Sequence, residues 1–450
     1  MNFIKSLATE NMVGGNCILV SLDNVDFLFD IGANLNALNQ LPAYGDFFFD
    51  YPEDLLFKAG LFPDVERITR LDFILISHPH VDHYGAFPVV FEKKPVIVGG
   101  PMCIELCMWT ASKLRRIDRK AMYGPRMEEA YPYTISLQSG ARGIFKVDGL
   151  TNALEVYYIP VDHTTPESYA YYVLSKDKKI RILYTGDFRS FSLSDSEEND
   201  WILAFMTTLK NHGLPSPNIL ITEGTMVGQF EKYMTENLVK DYVKRVSENT
   251  DGFLFILVTS SNFERVTNVI DSISDMRERI FITKSLFQRL ERNNITFQNQ
   301  VGQIDFDEGR KHFLPAFDID KEPRKVAFVI DEINERLSWY MCEFEKDLFF
   351  APASFVFAND IEFVLQQSPR YRSFVEYLRL NGVHICEAHA QGHISSTELY
   401  RFIKVLRPKL VIPIHTEHSE YFTSWSKSLD IDVEIPKKNK EIDANKVTDG

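Results

Sequence analysis

Cysteine is scarce in this chain of 450 residues: there are five, Cys17, Cys103, Cys107, Cys342 and Cys386, odd in number and scattered. That excludes a disulfide framework. No CxxC pair or neighbouring histidine marks a thiolate site, so Cys103 and Cys107, which would share one face of a helix, read as buried thiols. Long uncharged apolar runs are also missing. None approaches the about 18 residues of a membrane span, and Glu10 and Asn11 interrupt the N-terminal segment before a signal core can form. The expectation is a cytoplasmic protein that makes no membrane contact. Positive charge is in deficit: 49 Lys and Arg against 63 Asp and Glu leave a formal net charge of −14. Such a chain repels polyanions at long range unless basic residues are concentrated at the site. Two segments could do this, Lys113, Arg115, Arg116, Arg119 and Lys120, and then Arg370, Arg372 and Arg379, although a solvated helix face accounts for either. Repeats and low-complexity tracts are absent, and the polar tail from Glu434 onward is expected to fray.

What is present is an ordinary globular balance, 45% hydrophobic and 25% charged, in a chain long enough for two domains. Residues 15–30 read as two short strands joined by a tight polar turn. Continuous apolar runs at 71–77, 153–161, 168–174, 180–186 and 218–224 read as buried strands. From residue 228 the pattern changes to helices alternating with strands, which implies βαβ units and a parallel sheet. After residue 383 the order is strand, loop, helix, strand, helix.

The strongest chemical signal is Ser77-His78-Pro79-His80-Val81-Asp82-His83-Tyr84-Gly85. A hydrophobic strand ends, and three histidines and a carboxylate follow within six residues, from a chain holding only 11 histidines. A turn at a strand end lets alternate side chains converge, and imidazole with carboxylate suits a divalent metal. Asp30 in Phe29-Asp30-Ile31-Gly32, His163 in Asp162-His163-Thr164-Thr165-Pro166-Glu167-Ser168, and Asp187 in Tyr184-Thr185-Gly186-Asp187-Phe188 each follow an apolar strand. Later come Thr222-Glu223-Gly224-Thr225, His389-Ala390-Gln391-Gly392-His393-Ile394-Ser395 and Ile412-Pro413-Ile414-His415-Thr416-Glu417. Taken singly, Asp30 could be a turn residue, Glu223 a carboxylate at a helix start, and His393 a neighbour of a helix cap at Ser395.

The HxHxDH string resembles the hallmark of the metallo-β-lactamase superfamily. The ordered set beyond it resembles the ribonuclease J-like nucleases of its β-CASP branch, Glu223 matching motif A, His393 motif B and His415 motif C. The resemblance implies an α/β protein: a four-layer αββα metallo-β-lactamase fold with an inserted α/β β-CASP domain. The first part of the fold would be 1–222, the insert 223–384 and the completing part 385–450, with substrate in the cleft between the two domains. It departs from the branch in ending soon after motif C, and in having Gln391-Gly392-His393 where motif B usually follows Ser-Gly.

The resemblance also implies a mechanism. His78, His80 and His163 would hold one divalent ion, Asp82, His83 and His415 a second, and Asp187 would bridge them. The ions, zinc or manganese, would sharpen a shared water for in-line attack at phosphorus. Asp82 would aim that water, His393 would stabilise the phosphate or protonate the leaving 3′-oxygen, and Glu223 would orient His393 or a metal-bound histidine. The implied substrate is RNA or single-stranded DNA, and a homo-oligomer is left open. Two other readings compete. The acidic charge favours a metallohydrolase of a nucleotide, thioester or lactone, and a catalytically silent assembly subunit would ordinarily have lost ligands that this chain keeps.

Overall fold

The computed structural model describes residues 2–8, 12–34, 36–37, 51–66, 68–114, 131–138, 142–165, 167–191, 200–229, 234–259, 262–292, 295, 297, 301–304, 323–331, 333, 352–361, 365 and 369–448. The chain forms two compact units, residues 1–231 with 392–450, and residues 232–391. It passes between them a few residues later than the expected 222/223 and 384/385. Strand Ile219–Glu223 is hydrogen-bonded into the first unit up to Glu223, and strand His384–Glu387 is hydrogen-bonded into the second.

Two sheets make the first unit. One contains Phe3–Ser6 (β1), Ile18–Leu22 (β2), Val25–Phe29 (β3), Phe73–Leu75 (β4), Val96–Gly99 (β5), Thr134–Ser136 (β6) and, from the chain's end, Glu441–Asp443 (β21). The other contains Phe145–Lys146 (β7), Glu155–Asp162 (β8), Tyr169–Leu174 (β9), Arg181–Tyr184 (β10), Ser190–Phe191 (β11), Ile219–Glu223 (β12), Leu410–Ile414 (β19) and Asp432–Val433 (β20). The polar turn between β2 and β3 is Asp23-Asn24, both left-handed, at φ 51° and 62°. That is the geometry a two-residue hairpin requires.

Alternation along the strands assigns the layers. Val20, Phe27, Phe29 and Leu75 of the first sheet pack against Val156, Tyr171, Ile182, Ile221 and Ile412 of the second. The opposite face of the first sheet, with Leu28, Ile74 and Ile97, is covered by Leu56, Ile104, Cys107 and Met108 from helices Glu53–Lys58 and Pro101–Lys113. The opposite face of the second, with Ile159, Leu183, Leu220 and Val411, is covered by helices Trp201–Asn211, Ser396–Leu406 and Ser419–Leu429. This is a four-layer αββα sandwich.

The tail is packed into the fold through residue 448. β21 pairs antiparallel with β1, Phe3 opposite Asp443, and Ile442, Ala444 and Val447 are buried. The three apolar side chains find a groove on the first strand, more than four hundred residues away in the sequence, and their burial outweighs the polarity around them.

In the second unit, Leu254–Leu257 (β13), Arg279–Thr283 (β14), Val301–Ile304 (β15), Val326–Ile330 (β16), Ser354–Phe357 (β17) and His384–Glu387 (β18) form a sheet that is parallel at every described pairing. Phe255, Phe328 and Phe355 stack on one face, and the alternate residues Ile256, Ile282, Val329 and Val356 are equally buried, so both faces are covered. Among the described residues, no helix of either unit is long and apolar enough to cross a membrane.

Candidate metal centre

Strand direction places the site. β3 and β4 run parallel, as do β10, β12 and β19, and β8 shares the direction of β10 through two antiparallel steps. Residues that follow these strands therefore emerge at matching ends, where side chains from distant parts of the chain can meet. Asp30 follows β3, His78 to His83 follow β4, His163 follows β8, Asp187 follows β10, Glu223 ends β12 and His415 follows β19. Three of these turns are left-handed, at Asp30 (φ 56°), Gly186 (φ 56°) and His415 (φ 50°). A Cβ on Gly186 would lie 2.6 Å from that of Ser77, so the turn before Asp187 has no room for a side chain.

The structure brings all seven expected ligands together in the first unit. His78 Nε2 lies 2.9 Å from His80 Nδ1, and His163 Nε2 lies 3.3 Å from the same atom. Burial, followed by the neighbouring imidazoles, holds His78 and His163 well below the usual histidine range, and burial first of all pulls His80 down to about 4. These are three neutral rings whose lone pairs converge. His163 donates from Nδ1 to the Gly392 carbonyl at 2.5 Å, which leaves Nε2 as its free donor atom.

Beside this triplet, His415 Nε2 is 3.2 Å from Asp82 Oδ2 and 3.5 Å from Asp187 Oδ2, and His83 Nε2 is 3.2 Å from Asp187 Oδ2. His78 Nε2 is 3.8 Å from that same Asp187 oxygen, so Asp187 stands between the two groups. Its other oxygen, Oδ1, is buried with no hydrogen-bond partner among the described residues. A buried carboxylate oxygen left unpaired is costly. Burial would raise the Asp187 pKa, but His415 and His83 hold it well below the usual carboxylate range. Burial alone would also discharge His83, yet Asp187, Asp30 and Asp82 together keep it protonated well above its normal range. The cluster thus demands positive charge, and the unpaired oxygen together with the converging nitrogens fits metal ions, whose binding would displace that proton.

Asp30 supports the centre from beneath. Fully buried, it accepts from Ser77 N at 2.6 Å, Ser77 Oγ at 2.8 Å, His83 Nδ1 at 2.7 Å and the Tyr184 hydroxyl. The bond from His83 turns the ring so that Nε2 faces Asp187. Replacing Asp30 with alanine leaves these donors buried without an acceptor. We expect Asp30→Ala to lower unfolding free energy in urea by about 3–5 kcal/mol, the range for breaking a buried charged pair.

Glu223, 0% exposed, accepts from Phe188 N at 2.8 Å, Thr225 Oγ1 at 2.6 Å and His393 Nδ1 at 2.9 Å. Burial would lower the His393 pKa, but the Glu223 charge and hydrogen bond raise it to about 9. His393 is about a quarter exposed, its Nδ1 lies 3.9 Å from Asp187, and its ring stacks on His415. It is therefore the cationic, solvent-facing member of the centre.

No family model matches the chain. Curated relatives do. Ribonuclease J of Helicobacter pylori is 20% identical over 97% of this chain and 58% of its own length. Ribonuclease J of Mycobacterium tuberculosis is 22% identical over 78% of this chain and 59% of its own. Ribonuclease J of the archaeon Pyrococcus abyssi is 23% identical over 93% of this chain and 90% of its own. Along most of its length this chain is similar to ribonuclease J-like proteins of the β-CASP family. It spans about three-fifths of the length of the bacterial relatives it matches. A crystal structure of a protein of unknown function from Enterococcus faecalis shares the fold of this chain, with a TM-score of 0.65 and 18% identity, over 98% of this chain and 99% of that one.

Several neighbours of the centre carry no signature of their own in the sequence. The Ser77 hydroxyl, the Tyr184 hydroxyl and the Gly392 carbonyl act through hydrogen bonds that only the fold creates. Asn16 has its side-chain amide 3.4 Å from His83 Nε2. Thr225, two residues beyond Glu223, was legible only as part of that motif. Tyr84 is packed into the outer hydrophobic layer. Of the basic segments, Arg115, Arg116, Arg119 and Lys120 lie outside the described residues, while Arg372 and Arg379 are exposed on helix Pro369–Leu380.

Proposed function

We propose that the protein is a metal-dependent phosphodiesterase that cleaves RNA with a dinuclear centre. The observation that carries this reading is the gathering of seven nitrogen- and oxygen-bearing side chains into adjoining ligand groups, with Asp187 Oδ1 buried and unpaired among the described residues. The substrate class is supported by relatives named ribonuclease J that align with most of the chain. His78, His80 and His163 would hold one ion and Asp82, His83 and His415 the other, with Asp187 shared. Imidazole mixed with carboxylate accepts zinc or manganese. Such ions, when bound, supply an activated water and positive charge opposite the phosphate.

The protein's own groups do the rest. Asp82, partly exposed beside His415, accepts a hydrogen bond from the attacking water and aims it. His393 carries a proton at neutral pH on a ring anchored through Nδ1, so its Nε2–H is free to meet a phosphate oxygen or the departing 3′-oxygen. Glu223 fixes that ring and balances its charge.

The test uses 5′-labelled RNA and protein stripped by a chelator, then reloaded with zinc or manganese, with metal content measured by mass spectrometry. The expected result is two ions per chain and cleavage only in the loaded protein. A loaded protein that spares RNA and single-stranded DNA but hydrolyses a nucleotide, thioester or lactone would overturn the proposal. So would a chain that binds no ion, the behaviour of a silent assembly subunit.

A further inference from the structure

We propose that Thr225 is a positioning residue whose single hydroxyl ties the metal-ligand candidate His415 to the proton donor His393. The proposal rests on the dinuclear reading above and adds a residue to it. Proton directions follow from what each group can give. A carboxylate only accepts. Thr225 Oγ1 lies 2.6 Å from Glu223 Oε2 and 3.3 Å from the His415 carbonyl oxygen, and it spends its one proton on the nearer, charged acceptor. The same oxygen lies 2.8 Å from His415 Nδ1, and having no proton left it accepts from that nitrogen. His415 is thereby set as the Nδ1–H tautomer, and its lone pair is on Nε2, the atom 3.2 Å from Asp82 and 3.5 Å from Asp187. On the far side, Glu223 Oε2 also accepts from His393 Nδ1 at 2.9 Å. One unbroken relay results: His415 Nδ1–H to Thr225, Thr225 to Glu223, and His393 Nδ1–H to Glu223. It links a group facing Asp82 with the partly exposed cation, and among the described residues Glu223 has four donors, the others being Phe188 N and Thr225 N.

The relay touches His415 and leaves His78, His80 and His163 alone, so its loss should be felt unequally by the two ions. Thr225→Val keeps the side-chain shape and removes the hydroxyl. The decisive measurement is a chelator titration of the zinc-loaded protein, following zinc retained per chain, alongside nitrogen-edited NMR of the histidine rings. The expected outcome is one ion held as in the wild type and one weakened by about 10–100-fold, the usual effect of losing a partner of a metal-ligating histidine. The protected Nδ1–H signal of His415 should be lost, and Thr225→Ser should restore both readouts. If Thr225→Val does not fold, Thr225→Ala removes the same hydroxyl and carries the same titration. The proposal falls if both ions remain as tight as in the wild type, if both weaken alike, or if the serine variant restores nothing. A wild type that binds zinc yet leaves RNA intact counts against the nuclease reading alone, because the titration reads Thr225 without any substrate.

Discussion

Asp187→Ala is expected to lose metal and turnover together. Among the described residues, Asp187 is the only carboxylate with one oxygen facing His83, His415 and His78 at once, at 3.2, 3.5 and 3.8 Å. Its Oδ1 is buried without a partner among the described residues. Alanine removes both oxygens and the negative charge that helps keep His83 protonated in the metal-free chain. The remaining donors then form one neutral triplet of imidazoles and one looser group of Asp82, His83 and His415. Mass spectrometry of the purified variant should find at most one ion per chain. RNA cleavage should fall to background, a loss beyond the about 10⁴-fold that ends the usual range for a missing acid. Circular dichroism should show an unchanged fold, since Asp187 lies in a loop after β10 and the sandwich core does not include it. Retention of two ions with near-normal cleavage would show that the centre is built on other groups.

The second large effect separates chemistry from metal. His393→Ala should cut turnover by about 10²–10⁴-fold, the contribution typical of a positioned acid, while metal content stays at the wild-type value. Its Nδ1 is committed to Glu223 at 2.9 Å, so the ring serves the metal groups only as a neighbour. The contrast with Asp187→Ala is the informative part. One variant loses the ions and the reaction, and the other loses the reaction alone. Loss of an ion in His393→Ala would move that ring into the ligand set, and unchanged turnover on every substrate would remove it from the mechanism.

The site was legible where the ligands lie close in sequence or at the ends of strongly apolar runs. The residues from His78 to His83 announce themselves by density, and His163, Asp187 and His415 by following buried strands in the order that the resemblance to the β-CASP branch implies. The βαβ alternation of the second unit was readable for the same reason, because its strands are buried on both faces and run apolar throughout. The tail was misjudged because Ile442, Ala444 and Val447 are sparse among polar neighbours. Their groove lies on β1, at the opposite end of the chain.

By itself, then, the sequence determined which side chains could act on a metal and that they follow strands, because ligand chemistry and strand hydrophobicity are both local properties. The tertiary structure alone decided where those side chains point. Parallel pairing of β10, β12 and β19 sets Asp187, Glu223 and His415 side by side. Asp30 turns His83, Gly392 fixes the free nitrogen of His163, and Thr225 fixes that of His415. Each of these is a single hydrogen bond between residues far apart in the chain, and no periodicity or spacing encodes such a bond, since it exists only once the strands have been brought into register.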